Sequence, residues 1–148
     1  MYRFYNPHNG EHFYTPNKEE RDELLKNDQW RYEGEGWLVP FTSDYPVYRL
    51  LDPTTGDHRY TMDINVYDRF QTLGWIGEGI GHYSVDPKDP NIVQLYHLSN
   101  PNAKEAGSEH YTADQHERDV LIAKGWKYEG IVGYGLKELS FETYLIFE

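Results

Sequence analysis

No cysteine occurs in this sequence, so neither a disulfide framework nor a thiolate metal site holds the chain together. No stretch approaches the roughly 18 apolar residues that a membrane-crossing helix needs. Positive charge is scarce: 14 Lys and Arg stand against 25 Asp and Glu, a formal net charge of −11. Nucleic acid is bound chiefly by Lys and Arg that neutralise phosphates, so the balance argues against that partner. It disfavours an anionic membrane surface for the same reason. A neutral partner such as a polysaccharide stays compatible. No secretory leader opens the chain, and Met1 runs almost directly into repeated sequence, which fits a module of a longer protein.

Aromatic residues are abundant instead, at 16%, led by 14 Tyr and 4 Trp. Both side chains join an apolar face to a polar tip and suit a core or a partly wet binding surface. The 148 residues are enough for one domain, 1–148, with a single core.

One polar, aromatic phrase is written three times: "YNPHNGEHFYT" at 5–15, "LDPTTGDHRYT" at 51–61 and "HLSNPNAKEAGSEHYT" at 97–112. Tyr14, Tyr60 and Tyr111 fall in register, each followed by Thr and preceded four residues earlier by Gly10, Gly56 or Gly107. Trp30, Trp75 and Trp126 follow the threonines by 15, 14 and 14 residues, and each is trailed at +3 and +4 by Glu-Gly. The period is 45 to 51 residues, giving repeats 1–46, 47–91 and 92–137 and a terminal strand over 138–148.

Each repeat reads as strand, turn, strand, helix, strand. "YRF", "YRLL" and "VQLY" suit first strands, and the Asn-Pro or Asp-Pro pairs with a following Gly mark turns. Asn17 with Glu20 and Asp114 with Glu117 fit helix caps, while Asp63 caps a middle helix with Val66 in place of the acid. Leu24, Phe70 and Leu121 are expected to face the core. Gly74 and Gly125 end two helices, with Asn27 in that role in the first repeat. The glycines of the last strands predict bulges. A unit this small cannot bury its own apolar face. The expected fold is therefore α+β, mainly β: a pseudo-threefold closed module, built as a β-trefoil-like barrel or as three small blades.

The stretches "NPHNGEHFYT", "PVYRLLDPTTGDHRYT", "NPNAKEAGSEHYT" and "HERDVLIAKGWKYEGI" resemble the tripeat module of unknown function (DUF5648-like) of Gram-positive surface proteins and of phage or bacterial peptidoglycan hydrolases. The resemblance covers residues 1–137. In that family the module typically follows a lytic domain, which implies a targeting role on cell-wall glycan, outside the cell or at its surface. The chain departs from the pattern at Glu109, where the other copies have His12 and His58. It departs again seven residues after each tryptophan, where Trp37, His82 and Gly133 stand, and in about six extra residues in the first turn of the third repeat.

On a strand His12 shares a face with Tyr14, and His58 with Tyr60, so each pair can offer hydrogen bonds and a ring to a sugar. The competing role is a core tyrosine beside a histidine bonded to a turn carbonyl. His110 and Tyr111 are the third copy's candidates. Trp37, with His82 and Gly133 at matched positions, is expected on the surface as a sugar platform, whereas Trp30, Trp75 and Trp126 are expected in the core. Arg3 and Arg49, matched to Gln94, are glycan donors or carboxylate partners. His12, His58 and Glu109 also form a candidate zinc trio if they meet on the axis. Glu33, Glu78 and Glu129 recur as equal copies. A glycosidase needs two unlike carboxylates, so they read as structural partners at the bulges. No P-loop, GxSxG or HExxH motif is present, and neither metal nor cofactor is expected. The resulting expectation is a non-catalytic cell-wall carbohydrate-binding module, fused to a lytic domain in its parent protein, whose repeated weak sites gain avidity. The alternative is an assembly module whose exposed aromatics bury against a partner.

Overall fold

The computed structural model describes residues 1–103 and 107–137 and shows one four-element unit three times. The first unit holds β1 (Tyr2–Tyr5), β2 (His12–Thr15), α1 (Lys18–Leu25) and β3 (Arg31–Glu35). The second holds β4 (Pro46–Leu51), β5 (His58–Thr61), α2 (Ile64–Thr72) and β6 (Ile76–Tyr83). The third holds β7 (Ile92–Ser99), β8 (Glu109–Thr112), α3 (Gln115–Ala123) and β9 (Lys127–Leu136). Each unit makes its own antiparallel sheet with the first strand central, in the orders β2-β1-β3, β5-β4-β6 and β8-β7-β9. Among the described residues no strand of one sheet pairs with a strand of another, and one isolated bridge joins Leu38 to Leu136. The architecture is a three-part, mainly-β module. The strand expected over 138–148 lies outside the described residues.

The recurring sequence signals have local causes. Asn17, Asp63 and Asp114 cap their helices: Asn17 Oδ1 accepts from the Glu19 and Glu20 amides, Asp63 from Asn65, and Asp114 from His116 and Glu117. The caps' own amides donate to the hydroxyls of Thr15, Thr61 and Thr112, at 3.1, 3.0 and 3.0 Å. Threonine thus follows each tyrosine because its oxygen closes the turn into the helix, and Glu20 and Glu117 are left free for partners elsewhere. Gly34 and Gly130 sit at φ +90° and +112° opposite Arg3 and His97, where the strand registers slip. A side chain would strain that backbone, and the bulges stand where the glycines predict them. Asn27 does not take the left-handed exit: among the described residues only glycines have positive φ, and its side chain instead accepts from the Gln29 amide at 2.9 Å.

The core forms where the units meet. The rings of Tyr14, Tyr60 and Tyr111 cross at 84–88° with centroids 5.0–6.1 Å apart. Their hydroxyls close a cycle. Tyr111 N–H donates to Tyr14 Oη at 2.9 Å, Tyr60 N–H to Tyr111 Oη at 3.0 Å, and Tyr60 Oη–H to the Tyr14 carbonyl at 2.8 Å. Trp37 packs on this triad, 5.3 Å from the Tyr14 ring. Its placement corrects the expected surface platform, since only 7% of it is exposed. The matched positions Trp37, His82 and Gly133 are all buried round one axis, so a large side chain from one unit occupies room its counterparts leave. A Cβ added to Gly135 would come within 3.2 Å of Trp37 Cδ1 and 2.9 Å of the Leu38 carbonyl. Trp30, Trp75 and Trp126, expected in the core, are half-buried over Phe13, Phe70 and His110. The three described helices are peripheral: Leu24, Phe70 and Leu121 are half-buried, and no residue of α1, α2 or α3 is fully buried.

Candidate functional site

Three seams between units gather most of the polar residues singled out in the sequence. At the third–first seam, Arg3 pairs with Glu33 of its own unit at 2.9 Å and with Glu117 of α3 at 2.8 Å. His12 Nε2 lies 3.3 Å from Glu33, and His110 Nε2 lies 2.7 Å from Glu117. The first–second seam repeats the plan. Arg49 pairs with Glu78 at 2.8 Å and with Glu20 of α1 at 3.4 Å, and its guanidinium lies over the Phe13 ring. His58 meets Glu11 at 2.6 Å and Glu78 at 3.4 Å. At the second–third seam Arg59 pairs with Glu109 at 3.1 Å, and Glu109 also meets His97.

Strand register corrects one expected match: His97, not Gln94, stands opposite Tyr111 as Arg3 stands opposite Tyr14 and Arg49 opposite Tyr60. Arg3 and Arg49 are carboxylate partners, the second of their two expected roles. Glu33 and Glu78 are the structural partners they were read to be. The hydrogen bond from His12 opposes burial and, with the Arg3 charge, holds Glu33 below the usual carboxylate range. Burial works to raise the Glu117 carboxyl, but the hydrogen bonds of His110 and Arg3 outweigh it and keep it far below that range.

The turns after the first strands pack against one another. Asp57 accepts from the Gly107 amide and from Ser108 Oγ, each at 2.6 Å, and a Cβ on Gly107 would lie 2.8 Å from the Gly10 carbonyl. Glu11 and Asp57, buried acids that tie each unit to the next, were missed in the sequence, where they read as ordinary turn residues.

The expected polar-aromatic faces therefore point inward. Tyr14, Tyr60 and Tyr111 are core residues with 1–4% exposure, and His82 is buried beside Trp37. Burial, with the nearby N-terminal ammonium and Arg49 adding to it, pushes the His82 imidazole down to about 3, so it is neutral at ordinary pH. His12, His58 and His110 line seams. The candidate zinc trio of His12, His58 and Glu109 is split over three seams, and among the described residues no three His, Cys, Asp or Glu side chains are grouped to hold a metal ion.

Open surface is found where the repeat pattern breaks. Between β3 and β4 the segment 36–45 projects Phe41, 72% exposed, as a ridge between two grooves. One groove, of about 480 Å³, lies between Phe41, Pro40, Tyr83 and the N-terminus of α1 with Asn17, Lys18 and Glu19. The other, of about 420 Å³, runs past Tyr2, Glu35 and Leu38. Phe41 escaped the sequence reading because no aromatic recurs at its place in the other copies; an aromatic after a proline was its only signal.

Residues 1–136 match the family described as "Domain of unknown function (DUF5648)". No curated protein and no solved structure matches the chain.

Proposed function

The chain belongs to the DUF5648 family, and from the surface its fold leaves open we propose that it is a non-catalytic module binding a neutral cell-wall polysaccharide or peptidoglycan glycan, through the grooves beside Phe41. The observation that carries this reading is an aromatic ring held 72% exposed between two grooves with a polar rim. A pyranose presents an apolar face to such a ring and hydroxyls to Lys18, Glu19 and the Tyr83 phenol. The net charge of −11 favours a neutral ligand over an anionic one. The seam carboxylates support a non-catalytic role, because Glu33, Glu78 and Glu117 are committed to Arg and His partners. The counterparts of Phe41 are Asp86 and Lys137, so this reading places one site on the module rather than three. Attachment to a lytic domain, outside the cell or at its surface, is the setting in which such a module serves as an anchor.

Retention on purified Gram-positive walls tests the reading. Intact walls should hold the chain, walls stripped of polysaccharide should not, and Phe41→Ala should release it. Equal retention on stripped and intact walls rejects the polysaccharide, and full retention of F41A rejects the groove. A second reading, assembly with a partner, draws on the exposed Leu73, Ile76 and Ile80 of the second unit. A stable oligomer in light scattering that shields Phe41 and Ile80, with no binding to walls, would favour it.

A further inference from the structure

The pair of residues that closes each seam is different. His58 meets the Phe13 ring edge-on with centroids 4.7 Å apart, and Glu109 pairs with Arg59 at 3.1 Å. At the equivalent place in the third–first seam two histidines meet, His12 and His110, with Nδ1 atoms 3.4 Å apart and ring centroids 4.5 Å apart. Each ring turns its other nitrogen to a carboxylate, His12 Nε2 to Glu33 and His110 Nε2 to Glu117. A neutral imidazole has one proton, and a carboxylate partner holds it on Nε2. Both Nδ1 lone pairs are then left on the shared side with no hydrogen between them. An aromatic contact or an ion pair closes this place in the other two seams; here two imidazole nitrogens face each other, close enough to share one proton or one metal ion.

We propose that His12 and His110 bind one borderline divalent transition-metal ion, of the zinc class, through their Nδ1 atoms, and that this ion clips the first unit to the third. Two nitrogens held 2.0–2.1 Å from a tetrahedral ion lie about 3.3 Å apart, close to the separation found. A small rotation of the rings aims both lone pairs at one point. Glu33 and Glu117 are the carboxylates that orient metal-bound histidines and raise their basicity. Water from the cleft of about 420 Å³ onto which both histidines open fills the remaining positions. Imidazole donors select zinc, nickel or copper over the hard oxygen-seeking cations. The location gives the ion a purpose. The chain links the first unit to the second and the second to the third, whereas the third–first seam joins residues 98 apart in sequence.

Tag-free chain titrated with Zn²⁺ near neutral pH, by calorimetry and thermal unfolding, tests this. One ion per chain and a raised Tm are expected, with Mg²⁺ producing neither. His12→Asn and His110→Asn should abolish the effect, Glu33→Gln should weaken binding about 10–100-fold, and His116→Asn, on the exposed first turn of α3, should leave it intact. On the unaltered chain, ¹⁵N imidazole spectra should show the Nδ1 signals of His12 and His110 moving with Zn²⁺ while Nε2 stays protonated. No Tm shift, equal shifts with Mg²⁺, binding that survives H12N, loss in H116N alone, or ligation through Nε2 would each overturn the proposal.

Discussion

Removing one hydroxyl from the tyrosine cycle tests whether the three units close on a common axis. Tyr14→Phe and Tyr111→Phe keep the ring and its edge-on packing but delete the oxygens that accept the Tyr111 and Tyr60 amides at 2.9 and 3.0 Å. Each deletion strands a buried N–H with no replacement, which costs about 1–3 kcal/mol. Tyr60→Phe removes a donor to the Tyr14 carbonyl instead. A carbonyl left without its donor suffers less than a stranded N–H, so about 0.5–1.5 kcal/mol is expected. The phenols stay protonated throughout, because burial raises all three above their ordinary range. Urea unfolding near neutral pH provides the assay. With a slope of about 1–3 kcal/mol per molar, Y14F and Y111F should lower the midpoint by about 1 M at unchanged slope, and Y60F by less. The three losses should also fail to add in a triple variant, since the hydroxyls share one network. Midpoints within about 0.1 M of the parent for both Y14F and Y111F would mean that water reaches these amides, and the closed axis would be refuted.

His82 makes stability depend on pH. Its folded value of about 3 lies below the ordinary 6.5, so the unfolded chain takes up the proton first; the contribution is complete above about 6.5 and shrinks as pH falls from there toward 3. Between pH 7.5 and 5.0 the loss is about 2 kcal/mol, and unfolding curves taken at both pH values should show it in the parent and not in His82→Phe. Gly135→Ala drives a methyl to 2.9 Å from the Leu38 carbonyl and 3.2 Å from Trp37, and should cost about 1–3 kcal/mol by thermal or urea unfolding; a neutral result would show that Trp37 has room to move. Phe41→Ala, by contrast, should change stability by less than about 0.5 kcal/mol, so any loss of wall binding in that variant reads as loss of contact.

The periodic features were legible because each has a local cause. Caps, threonines and bulge glycines follow from backbone geometry, and the structure places them where the spacing predicts, Asn27 aside. Inside and outside were harder to tell. Tyr14 and His12 share a strand face, and alternation says only that they go the same way, not that the face turns toward the axis. In an ordinary sheet a His–Tyr stripe is too polar for a core. Here three such stripes meet, so each hydroxyl finds the next unit's backbone and each histidine finds a carboxylate. The same cause reversed the tryptophans. Variation among Trp37, His82 and Gly133 suggested a tolerant surface, but positions that converge on one axis are buried whatever their size: Trp37 and His82 pack on the tyrosines and on each other, and Gly133 is buried too.

Shared space also explains how the copies diverged. Arg3 of the first unit reaches Glu117 of the third unit's helix, and Arg49 of the second reaches Glu20 of the first unit's helix. Continued round the ring, the third unit's residue at that place would reach the second unit's helix at position 66. Both ends have changed: His97 stands where the other units have arginine, and Val66 where they have glutamate. Losing either partner alone would leave a desolvated charge without its counter-ion, which costs more than losing both. His97 turns instead to Glu109, which occupies the place of His12 and His58 and also takes up Arg59. The third copy's departure from the motif at Glu109 is therefore one part of a rebuilt seam, in which charge is conserved across the interface between units rather than within a unit. Histidine at 12 and 58 and glutamate at 109 answer to neighbours on another unit, and a repeat compared only with its own copies does not show those neighbours.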